Sequence, residues 1–108
     1  MIMKEMQLTV DAWIKQHGVR YFNELTNMTL LTEEVGELAR IMARTYGEQS
    51  FKDSESNRDP GEEMADVLFV LLCLANQTGV DLDAAFKKSM KKKTSRDGDR
   101  HHNNDKIK

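Results

Sequence analysis

The stretch that decides the fold is Asp59-Pro60-Gly61-Glu62-Glu63-Met64-Ala65-Asp66-Val67-Leu68-Phe69-Val70-Leu71-Leu72-Cys73-Leu74-Ala75-Asn76-Gln77-Thr78-Gly79. It opens on a helix start: Asp59 at the N-cap, Pro60 at the first helical position, where a missing N–H is harmless, and Glu62 at the capping-box position. It closes on Gly79, the residue type suited to the left-handed turn after a helix. The spacing predicts a helix from Pro60 to about Gln77. Met64, Val67, Leu68, Leu71, Leu72 and Leu74 run along it, and Phe69 and Cys73 extend its apolar character nearly all the way round. One short bundle cannot hide such a helix, so a second subunit is expected to cover part of it.

Upstream, Met3, Met6, Val10, Trp13 and His17 recur at helical steps. They predict a helix over about residues 3–17, with Gly18 as its C-cap. A longer pattern from about Glu24 to Tyr46 carries Leu31, Val35, Leu38 and Met42 on one stripe, with Gly47 as the stop. Residues 48–58 are polar and aperiodic and read as a mobile loop. Downstream, Asp81 caps a fourth helix over about 82–93, with Leu82, Ala85, Phe86 and Met90 inward. From Thr94 the chain reads as a polar tail.

One proline and 6% aromatic residues fit helices better than a sandwich or barrel. The fold class expected is therefore all-α: about four helices in a single domain over residues 1–93, completed by dimerisation, with a flexible tail at 94–108. A chain of 108 residues fills one core. A single cysteine permits neither an intrachain disulfide nor a cysteine metal cage, so a reducing cytoplasm is the expected home. The longest apolar run, Val67 to Ala75, is too short to span a bilayer, and the N-terminus shows no signal core; no membrane partner is expected. A net charge of -2 argues against nucleic acid as partner.

Chemistry concentrates in two acidic clusters: Glu33, Glu34 and Glu37 on the second helix, and Glu62, Glu63 and Asp66 on the third. Residues three apart on a helix differ by about 60° in direction, so Glu34/Glu37 and Glu63/Asp66 form two adjacent pairs. Each pair lies among apolar neighbours one turn away: Leu30, Leu38 and Ile41 on the second helix, Val67 and Val70 on the third. Carboxylates facing a bundle interior repel one another and resist desolvation unless a cation neutralises them. Oxygen-only ligands suit Mg²⁺, with Mn²⁺ as a substitute, better than zinc. A di-iron carboxylate bundle would use Glu-x-x-His, and none of His17, His101 or His102 follows a Glu by three residues. A solvated acidic face is the competing reading of any one such pair, and Arg40 is a salt-bridge candidate for Glu37.

Glu33-Glu34-Val35-Gly36-Glu37, about 25 intervening residues, then Glu63-Met64-Ala65-Asp66 resembles the EExxE…ExxD signature of MazG-like nucleotide pyrophosphohydrolases, within the all-α NTP pyrophosphatase superfamily. The likeness covers about residues 10–97 and includes Asn76, Gly79-Val80-Asp81-Leu82 and the lysine-rich stretch ending in Arg96-Asp97. It implies Mg²⁺-dependent hydrolysis of a nucleoside triphosphate between the α and β phosphates, as in the clearing of non-standard or surplus nucleotides. It also implies a homodimer or homotetramer. Carried over by position, Glu34, Glu37, Glu63 and Asp66 would hold the metal, and Glu33, Glu34 and Glu37 are the catalytic candidates, Glu33 as base or water-orienting group. Glu62 is left to its cap.

Substrate-binding candidates are Trp13 for base stacking, Asn76 for a sugar or base edge, and Lys92 and Arg96, in the basic run from Lys91, for the triphosphate. Each has a structural alternative: a core tryptophan, a helix-end hydrogen bond, a solvated basic helix end. The rival reading of the whole chain is a non-catalytic helical dimerisation or regulatory module whose acids serve solubility.

Overall fold

The computed structural model describes residues 2–50 and 59–108. It is built from four helices, α1 (Ile2–Trp13), α2 (Glu24–Tyr46), α3 (Pro60–Thr78) and α4 (Leu82–Asp97), with no strand among the described residues. The expected all-α fold is the one found. Most of the loop expected at 48–58 lies outside the described residues.

Helices α2, α3 and α4 each begin at a capping side chain. Asn23 Oδ1 accepts from Thr26 N at 2.8 Å, and Asp81 Oδ1 accepts from Ala84 N at 3.3 Å. At α3, Asp59 Oδ1 accepts from Gly61 N at 2.9 Å, so the cap reaches the second helical N–H and not the third, as a capping box would. Gly79 ends α3 at φ 72°, in the left-handed region.

The end of α1 departs from expectation. A π-helical turn, Ile14–Gly18, widens the helix and moves its exit one residue on, so the positive φ falls on Val19 at 69° and not on Gly18. Arg20 N donates to Gly18 O at 2.8 Å across Val19, closing a γ-turn of the strained hand.

The faces of α1 and α2 also differ from the hydropathy stripes. On α1 the buried residues are Gln7, Val10 and Ile14, whereas Met6 and Trp13 are exposed. Gln7 is inward because α3 and α4 need it: its Nε2 donates to Asn76 Oδ1 at 3.1 Å and to Val80 O at 2.8 Å, and its Oε1 accepts from Leu82 N at 3.0 Å. On α2 the inward line runs through Asn27, Leu30, Glu34, Leu38 and Ile41, while Val35 is half exposed. Val10, Ile14, Leu72 and Cys73 form the core cluster, flanked by Met3, Tyr21, Leu68 and Leu82.

Asn27, near the start of α2, donates from Nδ2 to Gln77 Oε1 near the end of α3 at 2.7 Å, so the two helices run antiparallel. That pairing sets their acids side by side. α4 turns away from α3 by 104° and packs against α1, with Lys4 N donating to Asp83 Oδ2 at 3.1 Å. Of the residues expected inward on α4, Leu82 is half buried, but Ala85, Phe86 and Met90 are exposed, because the bend projects them beyond the bundle. The helix runs to Asp97, four residues past the expected end. Thr94 Oγ1 donates to Met90 O at 2.9 Å and Arg96 pairs with Asp97 at 2.9 Å, local contacts that carry a helix without an apolar period.

Candidate metal centre

On α2, Leu30, Glu34, Leu38 and Ile41 share the face that meets α3, and Ile41 is fully buried. On α3, Glu63 sits in the first turn and Asp66 one turn further along, with Val70 beyond. The antiparallel pairing brings one carboxylate oxygen each from Glu34, Glu63 and Asp66 within 4.8 Å of one another. Glu63 is only 4% exposed, Glu34 is half buried and Asp66 reaches the surface. Burial pushes the Glu34 carboxyl above its ordinary value, and the charges of Asp66, Glu63, Glu37 and Glu33 push it the same way. Three carboxylates, one of them buried and one held above its ordinary pKa, converge on one point. Hard oxygen donors without His or Cys fit a hard divalent cation.

The other sequence-derived candidates lie at different distances from this trio. Glu37 is close enough to act on Glu34, yet its Oε2 accepts from Arg40 Nη2 at 3.2 Å, the salt bridge the spacing suggested. Glu33 is exposed on the rim. Trp13, half exposed, meets Phe69 edge-on at 5.7 Å between ring centres and lines a cleft of about 360 Å³ between α1, α2 and α3. Leu30 and Val70 line the same cleft, each one helical turn from an acid of the trio.

Asn76 lies ten residues beyond Asp66, about 15 Å along α3. Its Nδ2 donates to Gln7 O at 2.8 Å and to the Tyr21 hydroxyl at 3.0 Å, and the Tyr21 hydroxyl donates to Asp11 Oδ1 at 2.7 Å. This network ties α1 to α3. Lys92 and Arg96 line a groove on α4 with Lys88 and Ser89, and neither is among the groups that act on Glu34. Two residues escape a sequence reading. Asn27 is 4% exposed in the cleft wall, and only a buried polar position at helical spacing from Glu34 would have marked it. Arg44 sits two turns past Glu37, with Nε and Nη1 buried and without a hydrogen-bond partner among the described residues; its spacing from Glu37 was the available signal.

A sequence profile of the MazG nucleotide pyrophosphohydrolase domain matches residues 22–101, a span that contains both acidic clusters. The chain belongs to the MazG nucleotide pyrophosphohydrolase family. The uncharacterized protein YpjD of Bacillus subtilis strain 168 is 46% identical over 98 residues, 91% of this chain and 88% of that one. The crystal structure of YPJD from Bacillus subtilis superposes with a TM-score of 0.78 at 43% identity, over 88% of this chain and 95% of that one. The Bacillus-conserved MazG protein, a nucleotide pyrophosphohydrolase, gives a TM-score of 0.74 at 45% identity, over 90% of this chain and 94% of that one. This MazG domain is thus that of a hydrolase.

Proposed function

We propose that the protein is a Mg²⁺-dependent nucleoside triphosphate pyrophosphohydrolase, cleaving the α–β phosphoanhydride bond to a nucleoside monophosphate and pyrophosphate, with Mn²⁺ as a working substitute. The observation that carries this reading is the convergence of Glu34, Glu63 and Asp66 within 4.8 Å where α2 packs against α3. A solvated acidic face does not bury Glu63 to 4% exposure, so the dimerisation-module reading has no account of this arrangement.

In this mechanism Glu34, Glu63 and Asp66 would hold the cation, with Glu37 as the neighbouring carboxylate. When bound, the cation neutralises phosphate charge and lowers the pKa of a bound water. Glu33, at the rim, orients the attacking water and accepts its proton. The base enters the cleft beside Trp13, because one helical turn separates Leu30 and Val70 from the acids and fits the reach from a base to its α-phosphate. Asn76 acts at a distance, by fixing α1 on α3.

The protein works as a homodimer or homotetramer in the cytoplasm. Met64, Phe69 and Leu71 on α3 and Phe86 and Met90 on α4 stand exposed, and the radius of gyration of 17.6 Å exceeds the about 13 Å of a compact chain this long. A second subunit covers these faces and brings Lys92 and Arg96 of one chain to the triphosphate bound by the other. No single helix among the described residues is long and apolar enough to cross a membrane.

The test is pyrophosphate release from a panel of ribo- and deoxyribonucleoside triphosphates with and without Mg²⁺. Metal-dependent release from at least one of them is expected. Absence of release across the panel, or release of orthophosphate alone, contradicts the proposal.

A further inference from the structure

We infer that the cleft between α1, α2 and α3 selects nucleobases bearing an exocyclic amino group, and that the carbonyl oxygen of Asn27 reads that group. The inference deepens the function proposed above, because it takes the cleft beside the acids as the base site.

Asn27 lines the cleft and is 4% exposed, so any group facing its free polar atom is largely removed from water. Its amide nitrogen is fully engaged: Nδ2 donates to Phe22 O at 3.3 Å and to Gln77 Oε1 at 2.7 Å. The orientation is fixed from both sides. Turning the Asn27 amide round would set its oxygen against Phe22 O, two acceptors with no proton between them. Gln77 cannot turn either, since its Nε2 donates to Phe22 O at 2.8 Å and to Glu24 Oε1 at 3.1 Å, both acceptors. The surrounding chain therefore dictates which end of Asn27 remains for a ligand.

That end is Oδ1, which accepts no hydrogen bond among the described residues and is not one of their sealed, unpaired side-chain atoms. A buried acceptor requires a donor, and leaving it unpaired against a ligand carbonyl loses affinity on both sides. The amino groups of cytosine and adenine meet it with an N–H that no carbonyl flanks. Uracil and hypoxanthine offer a ring N–H flanked by one or two carbonyls, which approach Oδ1 as like partial charges. Trp13 and Phe22 in the same wall supply aromatic surface for the base and do not discriminate between these pairs.

Trp13 is the sole tryptophan and lines this cleft, so its fluorescence reports base entry independently of metal and turnover. The experiment titrates the full chain with CMP, UMP, AMP, IMP and dCMP. CMP is expected to bind at least about tenfold more tightly than UMP, and AMP than IMP. Asn27→Ala is expected to bring both ratios within about twofold; if that variant does not fold, the unmodified protein decides alone. Equal affinities, or tighter binding of the keto bases, overturn the inference. A tenfold difference between CMP and dCMP without one between CMP and UMP also overturns it, moving the contact to the sugar. Quenching by none of the five overturns the cleft as base site, while pyrophosphate release, measured separately, still tests the acidic centre.

Discussion

Glu34 on α2 and Asp66 on α3 bring carboxylate oxygens within 4.8 Å of each other, with the buried Glu63 completing the group. Without a cation this is an electrostatic burden on the fold, and Glu34 feels it through a raised pKa caused first by burial and then by its acidic neighbours. A carboxyl group with a raised pKa favours the native state while it is protonated, below the ordinary carboxylate range, and that contribution is lost as pH rises through the raised value. Metal-free Glu34→Gln should therefore melt at a higher temperature than the metal-free native sequence at neutral pH. The gain should vanish below about pH 4, where Glu34 is protonated anyway. Thermal melts in chelator across that range check the sign.

Glu62 and Glu63 are adjacent, and the structure separates them sharply: Glu63 is buried in the trio and Glu62 is exposed in the first turn of α3. Glu63→Gln should lower pyrophosphate release by about 100-fold or more, whereas Glu62→Gln should leave it within about twofold. Steady-state assays on the two variants read the register of the second motif, and reversed effects would move it by one residue.

Much of this site was legible before the structure. Acids one turn from Leu30, Leu38, Ile41, Val67 and Val70 implied that both pairs face inward; the folded chain buries Glu63 and half-buries Glu34 and Glu37, but leaves Asp66 at the surface. What hydropathy misassigned were polar residues placed inward by hydrogen bonds, Gln7 and Asn27, whose partners lie about 70 and 50 residues away in sequence. No local period encodes such a pairing. Likewise Phe86 and Met90 read as core by period and stand exposed, because the 104° bend after Gly79 sets where α4 goes.

Tyr21 bridges that long-range network, donating to Asp11 and accepting from Asn76. Burial and the Asp11 hydrogen bond push its hydroxyl up to about 12. Tyr21→Phe leaves the Asn76 amide short of one acceptor and should cost about 1–2 kcal/mol in denaturant unfolding. An unchanged midpoint would mean that the network does not hold α1 to α3.

Sedimentation should give a dimer or larger at micromolar concentration, because the exposed apolar faces of α3 and α4 have no cover within one chain. Placing charge on the α4 face, as Phe86→Glu with Met90→Glu, should dissociate the assembly. A stable monomer of the native sequence would contradict the composite arrangement of Lys92 and Arg96.

The most direct measurement is a calorimetric titration of Mn²⁺ into the metal-free native chain, Asp66→Asn and Glu62→Gln. The native chain and Glu62→Gln should bind with closely similar affinity, while Asp66→Asn should bind at least about tenfold more weakly. Equal binding by all three, or none by the native chain, would contradict a metal centre built on Glu34, Glu63 and Asp66.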